Sequence, residues 1–361
     1  MEKIIPIQEL FASQASWLLL IVTAVAVLIL SKGADWLVDG AAGLARRAGM
    51  PKVIIGATIV SLGTTSPEAA VSVMAAWQGN AGLALGNAIG SVICDAGLIF
   101  GVGCLLTTLP ADRFVLNRQG WVQVGVAVFL TGLCYVIWFI QGDNATLDRW
   151  VGVLLLTMLV AYMLISVRWA RQHPQGVPEP DMIDPSLSAQ APKESQSPVP
   201  ALVLMSIIGL ALVILASHVM ITSVSTLAVR WGVPEVVIAG TLVALGTSMP
   251  ELVIGITSIR KGHAELLVGN VIGADILNVL FVTGAAAAAK PLPIIEATSN
   301  TPAIFLWLHL PVMLAILVLF RVFIAASVKR GSFRRWYGLP LLLIYIGYVA
   351  AGFLLTGKIA H

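Results

Sequence analysis

The sequence predicts an all-α membrane protein with ten transmembrane helices arranged as two inverted five-helix repeats. Three observations carry this. The 361 residues are 58% hydrophobic and only 11% charged, where a soluble chain carries about a quarter charged residues. Long stretches such as Leu18–Leu30, Val122–Ile140 and Trp150–Ile165 run almost without charge, and a span needs about 20 apolar residues. The chain also matches itself at a fixed shift.

In chain order the expected spans lie near 17–46, 52–78, 81–107, 119–140, 148–169, 201–229, 234–260, 264–288, 302–327 and 336–357. The second, third, seventh and eighth hold more Gly and polar residues than a lipid-facing helix would. The first is its own insertion signal, because residues 1–16 are too polar for a cleavable h-region. Residues 1–170 form the first repeat, 171–199 a linker and 200–361 the second repeat. The linker is rich in Pro, Ser and Gln and reads as flexible. Cys94, Cys104 and Cys134 fall inside spans without metal-ligand spacing and read as buried thiols.

Placing the N-terminus outside puts 14 Lys and Arg in inner segments and 5 in outer ones. The positive-inside rule then sets both termini outside and the linker in the cytoplasm of a multi-pass protein of the cell inner (plasma) membrane.

The repeat has a shift of 183 positions. Residues 51–95 and 234–278 share 18 identities in 45 without a gap. Ten of the shared residues are Gly, Pro, Asn, Thr or Glu, which common hydrophobicity does not explain. Five spans per copy is an odd number, so the second copy enters the bilayer upside down. Inverted repeats place a substrate site near the midplane between the copies.

The repeated residues suit a cation. Pro67 and Pro250 cannot donate to the carbonyls four residues back, so each helix breaks and frees main-chain oxygens. Thr64 and Glu68, spaced i, i+4, share a face at the break, and Thr247 and Glu251 repeat this. Ca2+ takes six to eight oxygens, and two bidentate glutamates with two threonine-side oxygens supply roughly six. On the third span Asn87, Ser91 and Asp95 step by four along one face; the copy on the eighth reads Asn270, Ala274 and Asn278. Each mid-bilayer carboxylate costs about 2.5–3.5 kcal/mol on insertion scales, which argues for function. Asn87 and Asn270 also suit bonding helix to helix, and the neighbouring glycines suit close packing. Lys32, Asp35 and Asp39 share a face of the first span and suit an internal ion pair.

The strings Gly63-Thr-Thr-Ser-Pro-Glu68 and Gly246-Thr-Ser-Met-Pro-Glu251 resemble the two alpha-repeat signatures of the cation/calcium exchanger superfamily. Gly86-Asn-Ala-Ile-Gly-Ser91 and Gly269-Asn-Val-Ile-Gly-Ala274 resemble the helix that follows each. The resemblance covers nearly the whole chain and favours the sodium/calcium branch. It implies Ca2+ held by Glu68, Glu251, Thr64 and Thr247, with Na+ at overlapping sites. Thr65, Ser248, Ser91 and the carbonyls of Ser61 and Ala244 would complete the sodium sites. Two departures bear on the coupling ion. Asp95 and Asn278 reverse the order seen in archaeal-type relatives, which carry Asn on the third helix and Asp on the eighth. Asp275 stands where relatives carry Asn, adding a fourth carboxylate that suits a proton site, an extra cation site or a vestibule.

The expected function is a secondary antiporter exchanging Ca2+ for Na+ by alternating access, not an enzyme. A proton-coupled or other divalent cation exchanger is the alternative. An intramembrane hydrolase would need a nucleophile or a His pair, and His218 has no partner at suitable spacing; a passive channel fits broken inverted repeats less well. Expected partners are Ca2+, a monovalent coupling cation (Na+ or H+) and the lipid bilayer, with no cofactor, nucleic acid or obligatory protein partner.

Overall fold

In hydrocarbon every backbone group must be satisfied internally, so long apolar segments fold as helices. The computed structural model describes residues 11, 13–47, 52–172, 198–230, 244–295 and 304–357. Its helices are α1 (Ser16–Arg47), α2 (Lys52–Thr64), α3 (Ser66–Gln78), α4 (Ala81–Leu106), α5 (Arg113–Gln141), α6 (Arg149–Gln172), α7 (Val199–Arg230), α8 (Ala244–Thr247), α9 (Met249–Arg260), α10 (Ala264–Ala289), α11 (Phe305–Ser327) and α12 (Gly338–Gly357). Seven of them (α1, α4, α5, α6, α7, α10 and α11) are long and apolar enough to cross a membrane. The expected linker core, residues 173–197, and the first part of the expected seventh span, 234–243, lie outside the described residues.

Exposed side chains show which solvent these helices meet. Leu20, Ile21, Val25 and Leu28 of α1, Phe129, Val136 and Phe139 of α5, and Val153, Val160 and Leu164 of α6 are all exposed. Apolar belts of this extent do not face water. Exposed Trp17, Trp77, Trp150, Trp307 and Trp336 lie at or near helix ends, the level at which Trp anchors to a membrane interface.

Small residues set the helix contacts, as expected where lipid supplies no hydrophobic drive between helices. A Cβ on Gly209 of α7 would come within 2.7 Å of the Gly33 carbonyl of α1, and one on Gly40 within 2.8 Å of the Leu202 carbonyl. These approaches clamp α1 and α7 backbone to backbone. The innermost helix, α10, meets α2 in the same way: a Cβ on Gly269 would lie 2.1 Å from the Val53 carbonyl, and one on Gly273 2.5 Å from Ala57.

Two short strand contacts tie the connections together. Strand β1 (Thr146–Leu147) pairs antiparallel with β2 (Leu292–Pro293). Near the other end of α5, Pro110 bridges Ser332, with the Ala111 amide bonded to the Gly331 carbonyl and the Phe333 amide to that of Leu109.

Two expectations are corrected. Asp35 and Asp39 do not pair with Lys32; Lys261, after α9, lies 3.5 Å from the carboxylate of Asp35 and 2.7 Å from that of Asp39. The expected fourth span starts six residues earlier than its apolar run, because Asp112 caps α5 by accepting from the Val115 amide at 2.8 Å. Arg118 then folds over the Phe114 ring at 3.6 Å rather than ending the helix.

Candidate functional site

The two Pro-Glu motifs break their helices at equivalent residues with nearly the same backbone. Thr65, between α2 and α3, has φ −82° and ψ −4°; Ser248, between α8 and α9, has φ −84° and ψ 7°. Pro67 and Pro250 fall in the first turn of the resumed helix, where a missing N–H costs nothing. Glu68 and Glu251 fall in that turn as well, so each carboxylate sits at the positive end of a helix dipole.

The second pair of motifs ends in a different device. In α4 the helix widens into a π turn at Asp95–Ile99, and in α10 at Asn278–Val282. Asp95 and Asn278 thus each open a π turn, an irregularity frequent at functional sites. A further π turn, Gly56–Val60, lies in α2 just before the first break.

The structure brings these residues together from both halves. Asn278 Nδ2 lies 3.4 Å from Asp95 Oδ2. The Thr247 side chain lies beside Glu68, and those of Thr64 and Thr65 beside Glu251. Glu68, Glu251 and Asp95 repel one another electrostatically. Side chains of Ser61, Thr64, Thr65, Glu68, Ser91, Asp95, Thr247, Ser248, Glu251 and Asn278 are all buried.

Many of their oxygens lack a hydrogen bond. Thr65 Oγ1, both Glu68 oxygens, Ser91 Oγ, Asp95 Oδ1, Ser248 Oγ, Glu251 Oε2 and Asn278 Oδ1 are buried without a partner. Buried polar atoms are ordinarily paired, and three mutually repelling carboxylates call for positive charge. Among the described residues no basic side chain pairs with them. No three His, Cys, Asp or Glu converge as a metal cage among the described residues either, so a cation here would rest on a mixed set of carboxylates, hydroxyls and amides.

Other expected residues have partners or positions of their own. The Ser61 carbonyl already accepts from the Thr65 amide at 2.8 Å and the Thr64 hydroxyl at 3.2 Å. Ala244 opens α8 at the edge of the described residues. Asp275 turns sideways to α5, where Gln123 Nε2 donates to its Oδ2 at 2.5 Å.

Several working contacts were not read from the sequence. Asn87 Oδ1 accepts from Thr247 at 3.2 Å, and Asn270 Oδ1 lies 3.4 Å from the Thr64 hydroxyl, a second acceptor for it beside the Ser61 carbonyl. Each asparagine orients the threonine of the opposite half. Asn87 also donates to Ser72 Oγ at 3.0 Å and to the Glu68 carbonyl at 3.2 Å. Gln119 and Gln123, one turn apart where α5 enters its long apolar run, were the visible signal for the α5 contacts.

A family model described as "Sodium/calcium exchanger protein" matches residues 18–168 and 201–354. The chain belongs to the sodium/calcium exchanger family. CaxA of Alkalimonas amylolytica is 32% identical over 328 residues, covering 90% of this chain and 95% of that protein. The sodium/calcium exchanger MaX1 of Methanosarcina acetivorans is 26% identical over 350 residues, covering 91% and 96%. One solved structure of the sodium-calcium exchanger NCX_Mj, soaked with 10 mM Na+ and 10 mM Sr2+, superposes with a TM-score of 0.72 at 26% identity, covering 93% and 99%. The family consists of transporters, and this chain shares the exchanger fold.

Proposed function

We propose that this exchanger-family protein moves Ca2+ against Na+ across the cell inner membrane by alternating access. One observation carries the reading: eight buried, unpaired oxygens, four of them on three carboxylates, are drawn from both halves of the chain. Glu68, Glu251, Thr64, Thr247 and Asp95 would hold Ca2+, with Asn278 beside them. Thr65, Ser248, Ser91 and the Ser61 and Ala244 carbonyls would serve Na+ in overlapping positions. A mixed, uncaged ligand set suits an ion that must leave as well as bind.

In this reading the chain spans the membrane ten times as inverted repeats, 1–170 and 200–361, with both termini outside and residues 171–199 in the cytoplasm. The connections support it. Leu109-Pro110 and Leu292-Pro293 correspond under the 183-residue shift, and each Leu-Pro pair makes an antiparallel contact with a segment of the opposite half. The close α1–α7 packing suits two helices that shift as one body over a fixed site.

Ca2+ binding measured by calorimetry on purified protein tests the site. Saturating Na+ should displace Ca2+, and Glu251→Gln should abolish the Ca2+ heat. Full Ca2+ binding in saturating Na+ would contradict overlapping sites.

A further inference from the structure

We propose that Asp275 and Gln123 form a proton-binding site beside the central cation site, not within it. Asp275 is 1% exposed, and among the described residues its side chain bonds only to Gln123 on α5. Its second oxygen, Oδ1, is buried without a partner, and so is Gln123 Oε1. Among the described residues no basic side chain pairs with Asp275. A buried carboxyl so placed needs one positive charge, and two free oxygens are too few to replace the shell of a metal ion. A proton needs only one of them.

The amide fits both states of the acid. A glutamine can turn its N–H toward a carboxylate or its carbonyl toward a carboxylic O–H. The pair therefore stays bonded whether or not the proton is present. Gln119, one turn away on the same face of α5, continues the polar path: the Tyr162 hydroxyl lies 2.7 Å from Gln119 Oε1 and 3.3 Å from the Ala57 carbonyl in the π turn of α2.

The internal repeat supplies the control. Under the 183-residue shift Asp275 corresponds to Val92, and Gln123 to Leu306. Val92 and Leu306 are both fully buried and belong to one apolar core. The same fold thus fills the equivalent place with hydrocarbon, so the architecture does not require an acid and an amide there. Buried polar pairs retained where apolar packing would serve are candidates for function, and ionisable groups inside a membrane mark proton and ion paths.

Of the titratable groups on elements packed around this pair, Asp95 in the π turn of α4 repels Asp275, Glu251 lies on α9, and Tyr162 of α6 reaches Gln119. The neighbouring α2 turn brings Ala57 and Ser61, which carry no charge. Protonating Asp275 removes the repulsion on Asp95. On the antiporter reading, proton occupancy here would alter cation binding at the centre.

Infrared difference spectroscopy on the full-length protein in lipid, titrated with pH in the absence of Ca2+, tests the site without requiring transport. The wild type should show a protonated-carboxyl C=O band that the near-isosteric Asp275→Asn loses. Gln123→Leu, which copies the other repeat, should keep the band but shift it. An Asp275→Asn titration that superposes on the wild type would overturn the proposal. Flux measurements separately decide the antiporter reading.

Discussion

Asp95 and Asn278 are corresponding residues at which the two halves of the central cluster differ in charge. Both open a π turn and they touch between the two halves of the chain at 3.4 Å. Asp95→Asn should abolish Na+-driven Ca2+ uptake, because it removes one of three central carboxylates, whereas Asn278→Asp should be milder. Unimpaired uptake by the Asp95→Asn protein would refute that assignment. Asn87 and Asn270 orient the threonines of the opposite half. Their alanine variants should weaken Ca2+ binding about 10–100-fold, the usual cost of losing a residue that orients a metal ligand, as read by calorimetry. The carboxylates were legible because a Pro-Glu pair recurring 183 positions apart in an apolar chain has few structural uses. The asparagine–threonine bonds were not, since they join residues 206 and 160 positions apart and only packing brings these together.

The proline breaks could be read from the sequence, but the π turns could not. The π turns of α4 and α10 start at Asp95 and Asn278, where the four-residue spacing of the polar face ends, so that spacing carries no sign of the extra residue. The start of α5 was missed because its apolar run begins after Arg118, while Asp112 sets the cap. Glycine spacing foretold close packing, and the structure sorts which glycines need it. A Cβ on Gly209 would lie 2.6 Å from the Leu37 amide, whereas one on Gly86 meets nothing within 4 Å. Gly209→Ala should therefore destabilise the α1–α7 contact by about 1–3 kcal/mol, the cost of overpacking, while Gly86→Ala should leave thermal stability unchanged. Detergent-solubilised melting curves of the two variants check this, and equal melting temperatures would refute a tight α1–α7 contact.

For the whole molecule, the helical membrane character, the apolar stretches and the internal sequence repeat were open in the sequence because the bilayer leaves a chain so few options. The relation of one half to the other is carried by tertiary contacts: α10 against α2, and the two Leu-Pro bridges. Orientation rests on the distribution of Lys and Arg. A cysteine at Lys193, in a background without Cys94, Cys104 and Cys134, should react with an impermeant maleimide only from the cytoplasmic side; labelling of intact cells would reverse the topology.

The central claim is that two inverted halves build one site for exchanging Ca2+ against Na+. Radiolabelled Ca2+ uptake into proteoliposomes, driven first by an outward Na+ gradient and then by a proton gradient, tests it most directly. The account predicts rapid uptake under the Na+ gradient that Glu68→Gln and Glu251→Gln each abolish. Uptake under neither gradient, or uptake that both variants retain, would contradict it.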